Sequence, residues 1–218
     1  MSDRTNWALV ASRGGPETAI EDAWNRLRER CRPPVVHFLQ SRFVGRRAVE
    51  EMADGFFALL HDSDAEASAP TLRPWLAGLL RQYVGNLYRS PRTRPTDLGK
   101  REAFGNYPVD DTFDRDWARH LLLGALQRFR KEFPRIHALL IRIHDRPEGS
   151  PPPTPGDLSR ALGVSAEQAT ERLARARAKL RVYFEEEVRQ TVLDDDVLGT
   201  ERDLLLDHVG PLFAKSWA

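Results

Sequence analysis

The stretch "GVSAEQATERLARARAKLR", Gly163 to Arg181, decides how the chain is read. Glycine is the residue type that ends a helix in a left-handed conformation, and a serine ahead of an apolar-periodic segment is a helix N-cap. The preceding segment "PGDLSRALG" starts at Pro155, with Thr154 placed to cap it, so two helices are expected around a turn that Val164 plugs. At about 100° per residue, Ala169, Leu173, Ala176 and Leu180 share one narrow sector of the second helix, and its small alanines let a neighbouring helix approach closely. The adjoining sector carries Gln168, Arg172, Arg175 and Lys179, with Thr170 and Glu171 beside them, while Arg177 and Arg181 fall elsewhere and face solvent or a partner. A recognition helix presents such a stripe to DNA: its first turns enter the major groove and later basic residues meet phosphate. The competing reading is a charged, solvated face on an ordinary bundle, and periodicity by itself leaves the two level.

Outward from this stretch, apolar residues recur at three- and four-residue spacing and no strand-like alternation is found, so the expected fold class is all-α. A first helix carries Ala23, Trp24, Leu27 and Cys31 and meets Pro33-Pro34, which is expected to kink or break it before Val35, Val36, Phe38, Leu39 and Phe43. "GRRAVEEMADGFFALLHD" puts Val49, Met52, Ala53, Phe56, Phe57 and Leu60 on one stripe. Gly55 inside it points to close packing or a weak helix. "TLRPWLAGLLRQYVGNLYR" has Leu72, Trp75, Leu76, Leu79, Leu80, Tyr83 and Leu87 as its inward set. Its periodicity fails in the Pro-, Gly- and charge-rich run from Ser90 to about Asp111, which reads as a linker. Helical periodicity then returns through Phe113, Trp117, Leu121, Leu122, Leu126 and Phe129, with acids at the start complementing the helix dipole. A short helix from Ile136 to Ile143 and a proline-rich loop follow. The divisions expected are a helical domain over 1–90, a linker over 91–111, a helix-turn-helix domain over 112–192 and a C-terminal helical extension over 193–218 that folds back by packing.

The chain has 218 residues, 41% of them hydrophobic, enough for cored domains. With 33 basic and 32 acidic residues the net charge is +1, so any attraction to nucleic acid must come from local clusters. One exists: from Arg81 to Arg101 six basic residues face one acid, about +5 locally. Within this strip, Arg81, Tyr83, Asn86, Tyr88, Arg89, Arg92 and Arg94 mix cations with aromatic rings, the combination that attracts phosphate and stacks single-stranded bases. The lone Cys31 excludes an intramolecular disulfide and fits a reducing compartment. No apolar run is long enough to cross a bilayer and "MSDRTNWALVASRGG" lacks a signal-peptide core, so a cytoplasmic protein without membrane insertion is expected. Phosphate-loop, dinucleotide, zincin and hydrolase motifs are missing from the sequence, and His137 and His144 lack a third ligand at metal spacing. No enzyme, cofactor or metal site is expected.

The quoted motifs together resemble RNA polymerase sigma factors of the extracytoplasmic-function (ECF) class. "LSRALGVSAEQATERLARARAKLRVYFEEEV" is similar to region 4 of that family, with Gly163, Val164, Ser165, Arg172, Arg175, Ala176, Arg177 and Leu180 in matching positions. "AVEEMADGFFALL" is similar to the region 2.2 helix, and "LRPWLAGLLRQYVGNLYR" to the segments after it. "TNWALVASRGG", "FDRDWARHLL" and "EEEVRQTV" resemble a planctomycete-type subgroup. The resemblance covers nearly the whole chain. It implies two helical domains, one like sigma region 2 and one like sigma region 4, joined by a flexible linker. It also implies binding of core RNA polymerase through Glu50, Glu51, Asp54 and Phe57, with the structural reading of Phe57 as core standing beside this. Reading of the minus-ten element by the Arg81 to Arg94 set is implied as well. The minus-thirty-five element would be read by Gln168, Thr170, Glu171, Arg172, Arg175 and Lys179, with an anti-sigma factor as a further candidate partner. Departures from the pattern are Glu51, Asp54 and Gly55 in region 2.2, Asn86 in place of a common aspartate, and Glu167 and Glu171 near the groove-facing edge. The alternative is a helix-turn-helix regulator, or a degenerate sigma-like protein, that does not program the polymerase.

Overall fold

A computed structural model describes residues 6–12, 15–41, 43, 46–62, 69–89, 109–144 and 153–210. They form helices α1 (Asn6–Ser12), α2 (Glu17–Gln40), α3 (Arg46–Asp62), α4 (Leu72–Arg89) and α5 (Val109–Glu132). After these come α6 (Pro134–His144), α7 (Pro155–Leu162), α8 (Ala166–Arg189) and α9 (Leu198–Val209). The protein is all-α. Among the described residues the only extended pairing is an isolated antiparallel bridge between Thr71 and Val192, and no helix is long and apolar enough to cross a membrane.

The apolar stripes of the sequence become the core with few changes. Val49, Met52, Ala53, Phe56, Phe57 and Leu60 of α3 are all buried, as are Phe113, Trp117, Leu121, Leu122, Leu126 and Phe129 of α5. On α4 the inward face is rotated slightly from expectation: Val84 is fully buried, whereas Trp75, Leu79, Tyr83 and Leu87 are only partly so. Helix α1, too short to produce a periodic signal, is anchored by fully buried Trp7, whose ring centroid lies 5.0 Å from that of Trp75.

Two expectations need correcting. Pro33 and Pro34 do not break their helix: α2 runs through both from Glu17 to Gln40, with Pro34 buried in its inward face. Pro34 removes the donor for the Arg30 carbonyl, and the imidazole of His120 on α5 supplies another. The acids at the start of α5 serve tertiary pairing more than the helix dipole. Asp114 and Asp116 are buried, the first 2.6 Å from Arg73 Nη1 and the second 3.0 Å from His37 Nδ1.

Helix α5 is the central element, packing on α8 and α9 and also on α2 and α4. It begins at Val109, inside the segment 91–111 read as linker. Phe38 of α2 meets Phe113 edge-on at 5.9 Å, so the buried cluster is continuous from α1 to α9. The C-terminal extension folds back as expected: Leu198, Leu205 and Val209 are buried and α9 lies on α5 and α8. Glu201 joins Asp114 in gripping Arg73, through Nε at 2.7 Å and Nη2 at 3.1 Å. Such a buried ionic network adds little net stability when intact, but removing one partner costs roughly 3–5 kcal/mol because the others are left uncompensated.

Candidate nucleic-acid interface

Helices α7 and α8 and the turn between them form a helix-turn-helix unit whose ends are fixed by their own side chains. Thr154 Oγ1 accepts from the Asp157 amide at 3.2 Å while the Asp157 carboxylate accepts from the Thr154 amide at 3.0 Å, a reciprocal cap for α7. The Thr154 hydroxyl also donates to that carboxylate at 2.7 Å, and this bond first, then the one from the Thr154 amide, holds the Asp157 carboxyl below the usual carboxylate range. Gly163 ends α7 with φ 66° and ψ 37°, the left-handed conformation that glycine adopts without strain. Its amide and that of Val164 both donate to the Ser159 carbonyl, at 2.8 and 3.3 Å. Ser165 then repeats the reciprocal cap with Gln168, at 3.2 and 3.4 Å. Leu158 of α7 and Ala169, Leu173, Ala176 and Leu180 of α8 are all buried.

Fixing that face inward leaves the polar sector outward, and its members differ in what they have to offer. Gln168 is exposed, with its side chain committed to the cap. Thr170 donates to the Ala166 carbonyl at 3.0 Å and so is satisfied within its own helix. Glu171 pairs with Arg175 at 2.5 Å, offsetting that cation. Arg172 is exposed and, among the described residues, faces no carboxylate within ion-pair distance. Lys179 is half-buried, its Nζ 4.9 Å from the Tyr183 ring centroid. Arg177 is not on the solvent-facing side: it is half-buried, and burial pushes its guanidinium below its usual value. The cationic stripe ends where α8 reaches Glu185, Glu186 and Glu187, which would repel phosphate.

The other candidate residues gather on the opposite half of the molecule. Glu50, Glu51 and Asp54 lie on α3, but arginines already engage them. Arg32 of α2 holds Asp54 at 2.6 Å and Glu50 at 2.8 Å, Arg28 adds a contact to Asp54 at 3.6 Å, and Arg47 pairs with Glu51 at 2.9 Å. The hydrogen bond from Arg32 holds the Asp54 carboxyl below the usual carboxylate range. Phe57, expected among the polymerase contacts, is buried against Phe56, with ring centroids 5.4 Å apart, and serves packing instead.

On α4, Arg81 and Asn86 are exposed. Tyr83 turns the other way, toward α3, where its ring lies 5.5 Å from that of Phe56 and burial raises its hydroxyl above the ordinary tyrosine value. The side chains of Tyr88 and Arg89 lie outside the described residues, as do Arg92 and Arg94 altogether. Sequence reasoning missed Arg28 and Arg32 as partners of the α3 acids; two arginines one helical turn apart on the neighbouring helix were the available signal.

No family model, curated protein or solved structure matches the chain.

Proposed function

We propose that this chain is an ECF-like sigma factor, a non-enzymatic, cytoplasmic protein that binds core RNA polymerase and directs it to promoters. One observation carries the reading: a doubly capped helix-turn-helix presents Arg172 and Arg175 from the first turns of α8 while Ala169, Leu173 and Ala176 are buried behind them. In this reading the second half of the chain is region 4-like and reads the minus-thirty-five element as duplex, Arg172 and Arg175 bonding to base edges or phosphate. The first half is region 2-like. Its α3 acids meet the polymerase, Arg81 and Asn86 of α4 meet the melted minus-ten strand, and the segment between α4 and α5 links the two domains. An anti-sigma factor is the natural regulator of such a protein.

Run-off transcription with core polymerase from the source organism tests this directly. The purified chain is expected to select discrete start sites, and Arg172→Ala with Arg175→Ala to lose dependence on upstream sequence while core binding persists. A chain that neither binds core nor selects any start site would overturn the proposal.

A second reading is favoured by the pairing of Glu50 and Asp54 with Arg32. Acids already neutralised by neighbours suit a helix-turn-helix regulator that binds duplex DNA without recruiting the polymerase. The same purified protein separates the two, since a regulator would bind DNA yet never co-elute with core.

A further inference from the structure

We propose that Glu171 is a specificity residue that confines α8 to duplexes presenting a cytosine at one major-groove position, and that the same carboxylate holds Arg175 back elsewhere. The inference rests on the reading of α8 as a groove helix and goes beyond it, to the base that this helix accepts. Several polar side chains of the stripe are committed within the chain. Gln168 closes the cap with Ser165 at 3.4 Å, and Thr170 donates to the Ala166 carbonyl at 3.0 Å. The early turns then offer Arg172, which faces no carboxylate within ion-pair distance among the described residues, and the Glu171–Arg175 pair. That pair is joined at 2.5 Å, with the Glu171 and Arg175 side chains 59% and 77% exposed. At about 100° per residue Glu171 stands about 40° from Arg175 around the helix and Glu167 about 80°. Glu171 is therefore the acid that enters the groove with the arginines.

An ionised carboxylate only accepts hydrogen bonds. On the major-groove edge guanine offers N7 and O6 and thymine offers O4, all acceptors, so either base leaves Glu171 unpartnered beside electronegative atoms. Adenine sets its amino donor next to its N7 acceptor, which offsets the gain. Cytosine alone presents a donor, its N4 amino group, with no acceptor of its own beside it. With two oxygens, the carboxylate takes that amino group on one and keeps Arg175 on the other, while the remaining guanidinium N–H groups reach a phosphate. Away from a cytosine the pair stays closed on itself and withholds one cation from the phosphates. Glu171 thus lowers affinity for duplexes in general and lowers it least at the matching base. An exposed pair at this spacing also steadies its own helix, a role with no consequence for base choice.

The test selects duplexes from a library randomised over one helical turn, about 10 base pairs, with the purified full chain alone and with core polymerase. Fluorescence anisotropy then compares the selected duplex with its three single-pair variants at the fixed position. The parent should bind the cytosine duplex about tenfold more tightly than the other three. Glu171→Ala should bind all four alike. Glu171→Gln should bind every duplex more tightly than the parent and shift its preference to adenine, whose N6 and N7 match a carboxamide. Both changes fall at an exposed helix position, so helical circular dichroism should not change. A selected set without a fixed cytosine, a cytosine preference that survives in Glu171→Ala, or a Glu171→Ala protein that no longer binds overturns the proposal and leaves the groove helix standing. If neither the parent nor a variant binds any duplex, with or without core, the groove reading of α8 fails and the proposal falls with it.

Discussion

The imidazole of His120 donates to the backbone carbonyl of Arg30, the acceptor that Pro34 leaves without its helical donor. A proline pair in the middle of α2 is thereby tolerated by a residue almost ninety positions downstream. Burial, then the nearby Arg30 charge, hold this imidazole below the ordinary histidine value, so the folded chain takes up its proton later than the unfolded chain. Stability from this group is complete above the unfolded value of about 6.5 and is lost as pH falls below it, because the unfolded state protonates first. His137, lowered by burial and by Arg130, acts in the same direction. The urea midpoint should therefore drop between about pH 7.5 and about pH 5.5. His120→Gln, which can still donate to the carbonyl, should flatten that drop; an undiminished slope in this variant would refute the assignment.

Gly55 and Tyr83 give a second prediction. A Cβ at Gly55 would stand 2.8 Å from the Tyr83 hydroxyl oxygen and 3.9 Å from the ring carbon that carries it. The obstacle is a single atom. Gly55→Ala should fail to gain the roughly 1 kcal/mol that alanine brings to a helix interior. In a Tyr83→Phe background the same change should recover most of it, as read from urea midpoints. Equal effects of Gly55→Ala in both backgrounds would show that the hydroxyl is not what limits the site.

On α8 the charges rank the residues. Arg172→Ala should weaken duplex binding by about 1–3 kcal/mol if it bonds a guanine edge, with relaxed preference at one position. If it bonds phosphate instead, binding should weaken uniformly and the salt slope should fall by about 1. Glu171→Gln should tighten binding, since it frees Arg175 from its pair and removes a negative charge from the stripe. Fluorescence anisotropy across a salt series measures all of this, and weaker binding by the Glu171→Gln protein would place the DNA on a different face.

Arg32 tests the α3 surface. Its pairs with Asp54 and Glu50 are half open to solvent and should contribute no more than about 1 kcal/mol, so Arg32→Ala should fold with near-parental stability. The Asp54 carboxyl, now held low by that arginine, should rise toward its ordinary value in an NMR titration. Binding to core polymerase should strengthen as the acids are released. A weaker complex would mean that Arg32, not the carboxylates, makes the contact.

What was legible in the sequence and what was not follows the range of each interaction. The stop at Gly163, the caps at Thr154 and Ser165 and the buried row Ala169, Leu173, Ala176 and Leu180 depend on neighbours within a few positions, and all are found. The grip of Arg73 on Glu201 spans 128 positions and leaves no local pattern, nor does the rescue of the Arg30 carbonyl by His120. At the candidate site the outward stripe could be read from periodicity. That Glu171 offsets Arg175, and that Gln168 is occupied with Ser165, depends on rotamers that spacing does not determine. Tyr83 is a candidate by its company in sequence and Phe57 by the family resemblance, yet each side chain is drawn into the packing of α3 by the aromatic surface it can bury there.

Helix α8 is one unbroken rod of 24 residues, about 36 Å long, whose first turns carry Arg172 and whose last turns carry Glu187 against Arg30 of α2. A tilt of about 5° imposed at one end displaces the other by about 3 Å. The helix thus ties its two tips together as a lever does: a displacement of its arginine-bearing end is carried to the Glu187–Arg30 contact at the other.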